Sequence, residues 1–168
     1  LTVDNLNLKG SGSVSSLGRI LQIVQTTKTD TFSTTSTSFT DVTGFSATIT
    51  PSSTSSKVLV MVSSNSSTSG GNNAIMKLVR GSTDVFVGDD DGASREEATA
   101  QTRVNDTNAA LTLTFNFLDS PSTTSATTYK LQYKVQAGTG TINMTQADSN
   151  SATLARTASS IILVEVRG

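Results

Sequence analysis

The sequence contains no cysteine, no histidine and no tryptophan. Without cysteine there are no disulfides, thiolate nucleophiles or zinc–thiolate sites, and the fold is indifferent to the redox state of its compartment. Without histidine the chain lacks the side chain that most often serves as general base near neutral pH, and the commonest transition-metal ligand. Together these absences exclude most hydrolase and oxidoreductase constellations and leave carboxylates as the remaining route to acid–base chemistry. Charge is scarce too. Asp, Glu, Lys and Arg make up 15% of the residues and the net charge is −1, so nothing electrostatic favours nucleic acid or insertion at an anionic membrane. No run approaches the ~18 apolar residues of a membrane-spanning helix, and nothing has the character of a signal-peptide core.

What is present is Ser and Thr, about a third of the 168 residues. That length suits one domain, long enough to bury roughly 70% of its unfolded surface. Disordered chains combine high charge with few β-branched residues, and this composition is the reverse. Thr, Val and Ile fit a pleated, half-buried surface, while Ser supplies polar turns. The expected class is all-β.

Residues 1–18, LTVDNLNLKGSGSVSSLG, stand apart: a short alternating piece (Val3, Leu6, Leu8) runs into a Gly/Ser stretch with the character of a connector. Because the first residue is Leu rather than Met, this segment reads as the end of a longer parent, a stem or an arm, with an ordinary first strand as the alternative. From Gly18 onward short strands alternate with turn chemistry. Strands are expected at 19–27, at 39–43, at 45–50 ended by Pro51, at 57–64, and as a hairpin over 74–88 turning at Arg80–Thr83. Further strands are expected at 111–118, with Leu111, Leu113, Phe115 and Phe117 inward, around Leu131, Tyr133 and Val135, after the Gly138–Gly140 turn, and at 159–166. Residues 65–73, 89–108 and 147–157 read as polar loops. The count is eight to ten strands without a helix, spaced as in sandwiches and barrels.

Two strands are apolar in both phases. Val58, Val60, Val62, Ile161 and Leu163 therefore become candidates for a subunit interface, the alternative being central strands covered by a loop. The densest charge is Asp89, Asp90 and Asp91 before Gly92, hard oxygen ligands of the kind calcium takes, but without the further acidic ligands and terminal Glu of an EF-hand loop. Asp119 and Glu165 could with that cluster supply paired carboxylates for glycoside hydrolysis, yet no spacing makes any pair converge. Asn65, Asn105 and Asn143 head glycosylation-type triplets, which arise by chance in so Ser/Thr-rich a chain. Loops on a rigid sandwich are where binding surfaces usually lie, which singles out Arg95, Glu96, Arg103 and Asn105 in the longest one. No catalytic, cofactor or metal site is expected.

Two stretches carry a family resemblance. VDNLNLKGSGSVSS resembles the repetitive segments that precede the end domains of bacteriophage tail fibres and other virion appendages. From residue 19 onward, the TYKLQYK and SSIILVEV strands above all, the chain is similar to phage structural proteins, many from marine phages, with the layout of the tumour-necrosis-factor/complement-type jelly roll. The resemblance implies an antiparallel two-sheet jelly roll over 19–168 that forms a homotrimer, with the final strand near the three-fold axis. It also implies a place on the virion surface: an exposed tail or head fibre domain that joins other virion proteins through residues 1–18 and meets a host surface glycan or protein. Two alternatives stand beside it, a capsid decoration protein using 1–18 as an anchoring arm and a secreted carbohydrate-binding module. No set of family contact residues transfers, because receptor contacts differ among members.

Overall fold

The computed structural model describes residues 18–168, which form two antiparallel sheets packed face to face. Eleven strands follow in order: β1 (Ile20–Lys28), β2 (Phe32–Thr34), β3 (Thr40–Ile49), β4 (Lys57–Thr68), β5 (Asn73–Arg80), β6 (Thr83–Val85), β7 (Ala100–Arg103), β8 (Leu111–Asp119), β9 (Thr127–Val135), β10 (Gly140–Ile142) and β11 (Ser159–Val166). Among the described residues the only helical piece is a 3-10 turn at Ser69–Gly71. The excess over the expected count lies in three-residue pieces such as β2, β6 and β10. The stem or arm expected over 1–18 lies, but for Gly18, outside the described residues.

The first sheet runs β1-β11-β4-β8, and the second runs β3-β9-β5 with β6 and β7 sharing the far edge of β5. If β6 and β7 count as one strand and the short β2 and β10 are set aside, the chain visits the sheets in the orders 1-8-3-6 and 2-7-4-5. That is the winding of a jelly roll. Beyond Asn65 the neighbour of β4 changes from β11 to β10, which in turn pairs β2.

Strict alternation builds the core. In β9, Tyr129, Leu131, Tyr133 and Val135 all point inward and are fully buried, and in the first sheet Val24, Leu163, Val60 and Phe117 form one cross-strand row beneath them. Each such aliphatic side chain contributes about 1.5–3 kcal/mol through burial. The residues expected to point inward from β8 do so at Leu113, Phe115 and Phe117, but Leu111 lies exposed at the open end of that edge strand.

The structure corrects four local expectations. The two strands expected at 39–43 and 45–50 are one strand, β3, with a bulge between Asp41 and Ser46. Gly44 takes the left-handed conformation there (φ 74°), and Lys28 Nζ donates to the displaced Thr43 carbonyl at 2.8 Å. The loop expected at 65–73 is instead mostly strand, because its hydroxyls replace apolar contacts. Ser66 meets the Tyr133 hydroxyl at 2.8 Å, Ser67 donates to the Ala109 carbonyl, and Thr68 exchanges bonds with Val104. The polar stretch 89–108 contains β7, paired with Asn73–Met76 of β5.

The fourth correction concerns facing. Val58, Val60, Val62, Ile161 and Leu163, the interface candidates, all point into the sandwich and are at most 3% exposed. Glu165 shares their phase. A charged residue ordinarily marks the solvent face of a strand, but here it is 1% exposed and inside. The residues that alternate with them, Leu59, Met61, Ile162, Val164 and Val166, face outward.

Candidate functional site

Asp119 and Glu165, the carboxylates considered for acid–base work, sit on either side of Val58 in adjacent strands. Two strand spacings separate their backbones, on the order of 10 Å. Val58 between them is fully buried, and each carboxylate is committed elsewhere. Glu165 Oε1 accepts bonds from the amide and hydroxyl of Ser52, both 2.7 Å, and Oε2 accepts one from the Gln22 amide at 2.6 Å. Burial pushes the Glu165 pKa up, but these donors outweigh it and hold the group at about 2. The Ser56 hydroxyl also faces this carboxylate without reaching hydrogen-bonding geometry.

Asp119 ends β8 and closes the sandwich from the other side. Its two oxygens take the Arg80 guanidinium at 2.8 and 2.7 Å, and Oδ2 also accepts the Tyr129 hydroxyl at 2.6 Å. Burial, reinforced by the Asp119 charge, raises the Tyr129 pKa far above the ordinary phenol. Asp119 thereby ties the first sheet to β5 and β9 of the second. General acid–base work needs a carboxyl within reach of a substrate proton. These two are instead ties between elements.

The acidic cluster folds on itself. Asp90 Oδ1 accepts the Gly92 amide, Asp91 Oδ1 accepts the Ala93 amide, and Asp91 Oδ2 pairs with Arg95 at 3.2 Å. Among the described residues no three carboxylates are placed to hold a metal ion. The four loop candidates divide into two places. Arg95 is highly exposed, and Glu96 pairs with Lys134 of β9. Arg103 ends β7, and Asn105 packs so closely on Gly71 that a Cβ there would collide with its carboxamide. Of the triplet asparagines, Asn143 is fully buried, with its amide donating to the Lys28 and Asp30 carbonyls and its oxygen accepting from Ser159.

The two outer faces of the sandwich differ in kind. That of the second sheet is polar and internally paired: Lys130 with Asp41, Lys77 with Asp84, Lys134 with Glu96, and the Phe39 ring between the ammonium groups of Lys77 and Lys134 at 4.6 and 5.0 Å. That of the first sheet carries the cross-strand row Ile23, Val164, Leu59 and Leu118, and beside it Gln25, Ile162, Met61 and Asn116. Ile23 is 62%, Leu118 50% and Met61 38% exposed, and Ile20 (59%) extends the patch at one end. An antiparallel sheet that faces water normally shows polar side chains there, and this face departs from that pattern. In β4, Lys57 is in phase with Leu59 and Met61 and carried the signal for this face; in β11, Glu165 pointed the opposite way.

No protein-family model and no curated protein matches the chain. Among solved structures it is similar to the subunit of T=1 particles derived from infectious bursal virus, at 17% identity and a TM-score of 0.44, over 99% of this chain and 42% of that one. The T13 particle of the same virus matches at 15% identity and a TM-score of 0.44, again over 99% and 42%. The infectious bursal disease virus VP2 subviral particle matches at 16% and 0.35, over 99% and 44%. The chain thus spans less than half the length of the chains it matches. At those scores the likeness assigns it neither a family nor a role.

Proposed function

We propose that this chain is a non-enzymatic structural domain of a virion, an exposed tail or head fibre domain that assembles as a homotrimer and meets the host surface through its loops. The observation that carries the reading is the apolar outer face of β1, β11, β4 and β8, set against the ion-paired outer face of the opposite sheet. A face without charge at its centre suits contact with copies of itself, since like subunits do not repel there. The sequence resemblance to phage fibre domains supplies the virion context, with residues 1–18 joining the domain to other virion proteins. Attachment then works by avidity: three weak loop sites, repeated over many appendages, raise apparent affinity by about 10²–10⁴ without any tight single contact. Light scattering behind a sizing column tests the assembly. The expected species has three times the 17.4 kDa chain mass, and a clean monomer at micromolar concentration would overturn the reading.

A further inference from the structure

We infer that the end of the sandwich where β1 begins and β11 ends is a binding pocket for an oxyanion group, a sulfate, phosphate or carboxylate carried by a ligand. This site is separate from the apolar face and does not rest on the oligomeric state. Seven of the chain's cations make ion pairs: Lys28, Lys77, Arg80, Arg95, Lys130, Lys134 and Arg156. Four of the described residues, Arg19, Lys57, Arg103 and Arg167, have no carboxylate partner among the described residues. Two of those four, Arg19 and Arg167, gather at this one end, and Lys57 starts β4 at the same end of the sheet while its ammonium donates to the Ser120 hydroxyl at 3.3 Å. Arg167 donates its backbone amide to the Arg19 carbonyl, and Lys57 is the cross-strand partner of Val166. Like charges held on neighbouring strands are destabilising, and a second anion beside them relieves the repulsion.

Between the two arginines lies a polar pocket walled by Ser52, Ser53, Ser55, Ser56 and Gly168. Ser56 lines it and is 2% exposed, and its hydroxyl, which faces the Glu165 carboxylate, makes no hydrogen bond among the described residues. A buried hydroxyl without a partner costs about 1–3 kcal/mol, and a ligand oxygen held by the two guanidinium groups that line the pocket would be an acceptor within its reach. Glu165 below is saturated by Ser52 and Gln22 and forms no ion pair among the described residues, so the two arginines that line the pocket keep their charge unpaired there. Guanidinium groups match oxyanions through charge-assisted, bidentate bonds. Gly168 closes the wall so tightly that a Cβ there would collide with the Ser55 carbonyl.

Isothermal titration with sodium sulfate and with sodium acetate, at ionic strength held constant by chloride, tests the pocket. Saturable binding of at least one is expected, weakened about tenfold or more in the Arg19→Gln/Arg167→Gln variant and unchanged in Arg156→Gln, whose arginine pairs with Asp148 elsewhere. Both arginines are exposed, and a circular dichroism spectrum confirms that the double variant stays folded. Glucose 6-sulfate against glucose distinguishes the sources: binding tighter than inorganic sulfate favours a sugar-borne group, and equal binding favours a free oxyanion. Absence of saturation with both salts, or equal affinity in the double variant, overturns the proposal. So does a tenfold gain on Asp4→Asn, because Asp4 is the one carboxylate outside the described residues and would then be the natural occupant.

Discussion

The residues that look most reactive in this chain are the ones its fold uses most firmly as ties. Glu165 joins β11 to the connection before β4 and to Gln22 of β1, although no cation among the described residues bonds it. A buried carboxylate is tolerated when several donors meet its charged form. The sign of its pH effect follows. Its pKa falls from 4.5 to about 2 on folding, so its stabilisation is complete above about pH 4.5 and is lost as the pH drops toward 2. Glu165→Gln should flatten the acid limb of a stability–pH profile measured by urea unfolding between pH 5 and 2. A variant with the same acid limb as the parent would show that this carboxylate carries no linkage. At the alkaline end Tyr133, raised by burial to about 12, contributes stability that is full below pH 10 and lost as the pH rises through 12.

At the scale of elements, sequence and structure agree where one phase of a strand is apolar and the other polar. β9 was legible from its alternation, and β11 from its apolar density; β11 spans the expected 159–166, whereas β9 starts at Thr127, ahead of the alternating Leu131, Tyr133 and Val135. The Ser-rich half of β4 and the short β7 were not legible. Their inward side chains are Ser66, Thr68 and Thr102, whose polarity reads as loop although all three are buried. The join within β3 was missed for a related reason: a glycine between two strand-like runs is as consistent with a turn as with a bulge. The bulge is held by two devices, the left-handed Gly44 and the buried Lys28 ammonium on the Thr43 carbonyl. A Cβ at Gly44 meets only ordinary contact, 3.6 Å from Lys28 Nζ, so the cost of Gly44→Ala is backbone strain alone, about 1–2 kcal/mol. Thermal unfolding should show the corresponding loss. An unchanged midpoint would mean that the bulge relaxes to a conformation alanine accepts.

For the whole molecule, the question is which face of the first sheet is the inside. Periodicity could not decide, because β4 and β11 are apolar in both phases and their charged markers, Lys57 and Glu165, contradict each other across the same pairing. The fold decides for Lys57: residues 58, 60 and 62 are core, and 59 and 61 look outward. The two phases therefore make opposite predictions for one kind of substitution. Val60→Asp places an unpaired carboxylate at a fully buried position beside Leu163 and Phe117, at a cost of more than about 4 kcal/mol, a large part of the 5–15 kcal/mol that holds a domain of this size together. It should abolish the cooperative unfolding transition. Leu59→Asp with Ile162→Asp puts two charges on the outer face, where a lone subunit can solvate them. That pair should leave the strand signal in circular dichroism and the unfolding transition close to the parent, while reducing the mass by light scattering from three chains to one. If the outward pair unfolds the chain as Val60→Asp does, the face is core to the subunit itself. If it leaves a trimer intact, the contact between copies lies elsewhere on the sandwich.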